Sequence, residues 1–163
     1  MSNIQKSKKV LQTIQKNISE DEKKKWKIYL EISWRHFVIM NCRELITFLE
    51  TEVPLETAEG WDNPGFLVGD KDKEIKKVLV VLDITNEVVD YAIDQKADFI
   101  LAHHPIIFSK INKCTSDDFL QKKLLKLIRH DICAYGMHTC YDVLQNGRSS
   151  SRSLEFEGNT GTS

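Results

Sequence analysis

Two short runs in this 163-residue chain carry residue types able to do chemistry. The first is Ile100-Leu101-Ala102-His103-His104-Pro105-Ile106, where adjacent histidines end an apolar, strand-like segment. The second is Met137-His138-Thr139-Cys140-Tyr141-Asp142, which also follows an apolar run. Imidazole is the commonest protein ligand for transition metals. A lone histidine at a strand end is usually a hydrogen-bonded surface residue. A His-His-Pro at one strand end and a His-x-x-x-Asp at the next point to metal instead. Side chains alternate along a regular strand, and Pro105 has no backbone N–H to continue the pairing. His103 and His104 are therefore expected to diverge, each toward its own ion, with a carboxylate such as Asp142 bridging. A two-metal centre activates water and stabilises an oxyanion. Histidine with carboxylate suits Zn, Mn or Fe.

The elements that would position these residues are clearest in the middle of the chain. Lys77 to Asp83 is apolar almost throughout, as a strand covered on both faces should be. Thr85 can cap the helix that follows, whose buried stripe is Val88, Val89, Ala92 and Ile93. Asp98 to Ala102 reads as a second strand. Ser116 can cap a longer helix carrying Phe119, Leu120, Leu124, Leu127 and Ile128. A third strand begins at Ile132-Cys133-Ala134-Tyr135. The order β-α-β-α-β predicts an α/β fold: a parallel βαβαβ sheet core with flanking helices and right-handed crossovers. Ligands in such sheets bind outside the carboxyl ends of the strands. Asp83, His103-His104, His138 and Asp142 all fall at those ends. Adjacent strands lie about 4.8 Å apart, so side chains from neighbouring ends can share an ion.

The flanks differ from this core. Residues 1–39 hold nine Lys/Arg against four Asp/Glu, whereas the whole chain has a net charge of −1. That asymmetry suggests an appended segment. Ile4, Val10, Leu11, Ile14 and Ile18 have roughly helical spacing. Ser19 and Glu22 form a capping-box signature for a second helix bearing Trp26, Tyr29, Leu30 and Trp34. Residues 1–39 thus read as a helical extension that docks on the domain or a partner. Asn41 and Glu44 suggest a further helix start, burying Leu45, Ile46, Phe48 and Leu49. Glu59 to Gly65 is dense in turn formers, and Phe66-Leu67-Val68-Gly69 is strand-like. From residue 148 the chain is rich in Gly, Ser, Thr and Arg, and 148–163 is expected to be disordered.

Several function classes find no support. The near-neutral charge gives no case for nucleic acid, and the lysines come with no recognition motif. No apolar stretch approaches the roughly 18 residues of a membrane span. Cys42, Cys114, Cys133 and Cys140 form no CxxC pair and follow no signal peptide, so a reducing cytoplasm is the expected compartment. There is no nucleophile elbow and no phosphate-cradling glycine motif. His36 and His130, on predicted helices without partners, read as structural or solvated. Asp83 reads as a helix cap before a site residue, and Cys140 as packing. Trp61-Asp62-Asn63 reads first as a turn and second as a pocket wall.

Three segments together resemble the GTP cyclohydrolase 1 type 2 family, also called the NGG-interacting-factor-three-like family. They are Ala58 to Gly69, which contains Gly60-Trp61-Asp62-Asn63-Pro64-Gly65; Asp98 to Phe108 with its His-His-Pro; and His138-Thr139-Cys140-Tyr141-Asp142. The resemblance spans about residues 40–147. It implies a dinuclear centre of two divalent ions (Zn, Mn or Fe), with His103, His104 and Asp142 as metal ligands. His138 matches a site-lining position and is assigned the catalytic role of orienting groups or shuttling a proton. The resemblance also implies toroidal homohexamers and a small-molecule substrate of nucleotide type, the family label being hydrolytic opening of the purine ring of GTP. The family's later His-x-x-x-Glu pair has no counterpart here, since only Glu155 and Glu157 lie downstream. The chain is therefore expected to be a truncated or frameshifted form with an added residue 1–39 segment. Two functions follow as expectations. One is a metal-dependent hydrolase using a metal-activated water on an electrophilic carbon. The other is a non-catalytic metal-binding scaffold acting through protein partners.

Overall fold

The computed structural model describes residues 30–33, as backbone, and 40–144. Among the described residues there are seven strands: β1 (Leu30–Ser33), β2 (Met40–Asn41), β3 (Gly65–Val68), β4 (Glu74–Ile75), β5 (Lys77–Val81), β6 (Phe99–Ala102) and β7 (Cys133–Gly136). The helices among the described residues are α1 (Cys42–Glu52), α2 (Asn86–Asp94) and α3 (Phe119–Arg129), with a short 3-10 turn at Leu55–Thr57 and helical residues at 138–144. The main sheet has the order β1-β5-β6-β7-β3, and β2 and β4 form a separate ribbon.

The expected parallel core is present. β5 pairs with β6 in parallel from Val78↔Phe99 to Val81↔Ala102, and β6 with β7 from Phe99↔Cys133 to Ala102↔Gly136. Alternation along these strands feeds two apolar layers. Leu79, Val81, Ile100, Ala102 and Ala134 face α2 and α3, and pack with Val88, Val89, Ala92, Leu124 and Leu127. Val78, Phe99, Leu101, Cys133 and Tyr135 face the other way, against Cys42, Ile46 and Leu49 of α1. Residues buried on both faces explain the near-continuous apolar runs.

The helix starts are set by caps. Asn41 and Glu44 form the expected capping box on α1: the Asn41 side chain accepts from the Glu44 amide at 2.8 Å, and the Glu44 carboxylate from the Asn41 amide at 3.0 Å. Thr85 caps α2 through the Val88 amide at 3.2 Å. The cap of α3 is Asp118, not Ser116: its carboxylate accepts from the Gln121 amide at 2.9 Å. Phe119 and Ile128 of α3 are exposed, and the buried stripe reduces to Leu124 and Leu127.

One edge departs from expectation and the other follows it, Phe66–Val68 lying in β3. Leu30–Ser33, expected within a helix, is a strand antiparallel to β5, from Leu30↔Val80 to Ser33↔Lys77. The outer edge of β5 carries backbone groups that need partners, and a helix would leave them unpaired. Tertiary pairing outweighs the weak helical periodicity there. The rest of the proposed helical extension, including His36, lies outside the described residues, as does the 148–163 tail. At the opposite edge β3 runs antiparallel to β7, with a register shift between Phe66 and Val68. Gly69, just past β3, sits at φ +117°, and a β-carbon there would meet Cys133 Sγ at 2.5 Å. Only glycine accommodates both constraints. Among the described residues no helix is long and apolar enough to cross a membrane.

Candidate metal centre

The sheet ladder runs past the formal ends of its strands and carries the site with it. The His103 amide donates to Val81 O at 3.1 Å and the His104 amide to Leu82 O at 2.9 Å. One strand further, the Met137 amide donates to Ala102 O at 3.0 Å and the His138 amide to His103 O at 2.8 Å. These bonds place both histidine motifs side by side at the carboxyl ends of the parallel strands. Gly136 permits the approach, because a β-carbon there would lie 2.8 Å from Pro105 Cα.

His103 and His104 lie close together at this end of the sheet. Their ring centroids are 4.8 Å apart, and the His138 ring lies 5.5 Å from the first and 5.4 Å from the second. One ligand nitrogen from each of the three falls within 4.8 Å of the others. The trio can hold a metal ion. Burial pushes the His103 imidazole below its ordinary range; Asp142 opposes this, while the neighbouring His104 and His138 add to it. A neutral imidazole is the form that binds metal.

Two carboxylates orient two of the three rings. Asp83 Oδ1 lies 2.7 Å from His104 Nδ1, and Asp62 Oδ1 lies 2.8 Å from His138 Nδ1. Asp83 is thus a site residue and not the cap of α2, a role that Thr85 holds. The Asp62 side chain is fully buried, in contrast to the part-exposed Asp83. Burial pushes the Asp62 carboxyl up, but bonds from Thr139, His138 and the Asn63 amide outweigh it and hold it below the usual range. Carboxylate-to-histidine contacts of this kind fix ring orientation in metal sites and leave the other nitrogen for the ion. The donor chemistry of the residues present therefore fits a transition metal.

The remaining candidates fall around this centre. Asp142 lies in the helical residues 138–144, its Oδ2 3.6 Å from His103 Nε2, with the side chain half exposed. Trp61 packs against His138 with ring centroids 5.8 Å apart and against Phe108 at 5.9 Å, and both are exposed. They form a wall at the mouth of the cluster. Cys140 is buried and its thiol bonds Met137 O. His130 ends α3 as its exposed C-cap, away from the trio. Asp62, read from the sequence first as a turn residue and second as pocket wall, is here the hydrogen-bond partner of His138. It was legible as part of a turn, but its bond to His138 joins residues 76 apart, and no local pattern signals that.

A mixed α/β sheet with a histidine cluster at its parallel strand ends defines the class. A family model described as Duf34/NIF3 (NGG1p interacting factor 3) matches residues 40–159, somewhat beyond the expected limit near Gly147. The chain belongs to this family. A "GTP cyclohydrolase 1 type 2 homolog" from Clostridium perfringens is 40% identical over 108 residues, 66% of this chain and 41% of that protein. One of the same name from Staphylococcus aureus is 43% identical over 108 residues, 66% of this chain and 29% of its own length. Among solved structures, a Bacillus cereus protein related to NIF3 superposes with a TM-score of 0.60 at 38% identity, over 64% of this chain and 29% of that one. Reduced HcgD from Methanocaldococcus jannaschii gives a TM-score of 0.59 at 39% identity, over 64% and 42%. The chain thus spans well under half the length of these relatives.

Proposed function

We propose that this chain is the metal-binding part of a hydrolase that acts on a small, planar, nucleotide-type substrate. The observation that carries the reading is the convergence of His103, His104 and His138, two of them anchored through Nδ1 by carboxylates. Three imidazoles suit Zn or Fe better than Mn, which favours oxygen ligands. A bound ion of this kind supplies Lewis acidity and a nucleophilic water near neutral pH. Asp142, beside His103, is the carboxylate available to extend the site toward a second ion. The exposed Trp61 and Phe108 offer flat apolar surface at the mouth, suited to stacking a heteroaromatic base. Homohexameric assembly belongs to the same proposal and is read directly by light scattering.

One observation favours the second reading, a metal-binding scaffold without turnover. His138, expected to shuttle a proton, has Nδ1 engaged by a buried carboxylate and contributes a nitrogen to the ligand group. Its two nitrogens are thereby committed. Elemental analysis of the purified protein, paired with a GTP turnover assay, separates the readings. The hydrolase reading expects Zn or Fe in the wild type, slow metal-dependent turnover, and loss of both in His104→Ala. Metal without turnover supports the scaffold. Protein that holds no Zn, Mn or Fe, with His104→Ala indistinguishable from it, removes both.

A further inference from the structure

We infer that Asp62 is a positioning residue: its carboxylate holds His138 in the Nδ1–H tautomer, and so leaves the Nε2 lone pair free as a ligand. The inference rests on the metal-binding reading above and deepens it. Asp62 lies in a turn far from the histidines in sequence, yet it is the most enclosed acid at the centre, with its side chain wholly buried.

Its four contacts divide evenly. Oδ1 accepts from the Asn63 amide at 2.7 Å and lies 2.8 Å from His138 Nδ1. Oδ2 accepts from the Thr139 amide at 3.1 Å and from the Thr139 hydroxyl at 2.6 Å. A buried carboxylate is tolerated only when it is fully hydrogen-bonded. An ionised carboxylate can only accept, so His138 Nδ1 must carry the proton. In a neutral ring the lone pair then sits on Nε2. The backbone supports the same arrangement. His138 has a φ of 31°, in the left-handed region that a β-carbon disfavours. Its amide is tied to His103 O and its ring to Asp62, so the turn holds the imidazole between the other two.

A purely structural role is the competing account. Asp62 also ties residues 59–62 to the end of β7, because Thr139 Oγ1 receives the Glu59 amide at 3.0 Å while donating to Asp62. Two near-isosteric substitutions separate staple from positioning. In Asp62→Asn, the amide oxygen keeps the two Thr139 donors and the NH2 group faces His138, at the cost of the bond from the Asn63 amide. Nδ1 must then accept, and the proton moves to Nε2, as happens when an asparagine replaces the aspartate that orients a catalytic histidine. Thr139→Val cuts the hydroxyl bonds of the staple but leaves the Asp62 to His138 contact intact.

The experiment uses the full chain, with 15N-labelled histidine. Long-range 1H–15N spectra of the metal-free protein read the tautomer, and competition titrations with zinc read the affinity. The wild type is expected to show His138 protonated on Nδ1. Asp62→Asn is expected to move that proton to Nε2 and weaken zinc binding about 10- to 100-fold, the range typical of lost outer partners of ligating histidines. Thr139→Val is expected to melt earlier yet keep the wild-type tautomer and zinc affinity. The inference is overturned if Asp62→Asn leaves His138 protonated on Nδ1, or if Thr139→Val weakens zinc as much as Asp62→Asn does. A wild type that shows the expected tautomer but binds no zinc defeats the metal-binding reading alone.

Discussion

Gly136 shows how much of the site depends on a single missing methyl group. Its position leaves no room for a β-carbon, which would sit 2.8 Å from Pro105 Cα and 3.0 Å from Pro105 Cβ. The obstacle is backbone, so it cannot swing aside as a side-chain tip would. Gly136→Ala must push β7 away from the His-His-Pro turn. We expect a loss of about 1–3 kcal/mol in urea unfolding, the usual cost of overpacking, and weaker metal binding from the displaced His103 and His104. Unchanged stability would show that the turn yields. The thiols give a second test. Cys114 is exposed, whereas Cys42, Cys133 and Cys140 are buried. Burial, reinforced by Cys133, pushes the Cys42 thiol up to about 12, and burial raises Cys133 and Cys140 as well. Thiolate is the reactive form. A disulfide reagent at pH 8 should therefore label Cys114 alone in the native protein, and Cys114→Ser should abolish the fast phase. Rapid labelling of a second cysteine would contradict the packing. At this scale the histidines were legible because each motif is short and sits at the end of an apolar run. The site roles of Asp62 and Asp83 rank only second in the sequence reading, since they come from partners 76 and 21 residues away.

Local signals decided several elements and failed at others, for identifiable reasons. The capping box of α1 was readable because Asn41 and Glu44 lie three residues apart and bond reciprocally. Asn41→Ala should cost about 1 kcal/mol, the typical price of a lost N-cap, measured as a lower urea midpoint with an unchanged slope. A shift below about 0.3 kcal/mol would mean that the cap is replaced by solvent. β5, β6 and β7 were readable because strands covered on both faces lose the polar alternation of a half-exposed sheet. Leu30–Ser33 was not, because its pairing to β5 is a tertiary contact with residues far along the chain, from Leu30↔Val80 to Ser33↔Lys77. The β2–β4 ribbon is only two residues long on each side and leaves no periodic trace. The α3 cap moved from Ser116 to Asp118 because several capping types crowd that loop. The site itself depends on the better-read elements, which explains why the motifs fall at the expected strand ends although the β1 edge does not follow expectation.

Across the whole molecule, the loops, turns and helical residues at one end of the described sheet hold the candidate centre. Its orienting acids, three imidazoles, flanking carboxylate and aromatic wall lie between Trp61 and Asp142, within the region that the family match covers. The two apolar layers brace the strands from which the site projects. Metal binding should therefore be a property of this chain, even though it spans 41% or less of the two curated relatives. The central claim is that His103, His104 and His138 act together on one ion. The most direct test is a cobalt(II) titration followed by visible absorption, comparing the wild type with His103→Ala, His104→Ala and His138→Ala. The account predicts a saturable ligand-field band in the wild type, with coordination shifted or lost in each of the three variants. A wild type without such a band, or a band that His138→Ala leaves unchanged, would contradict it.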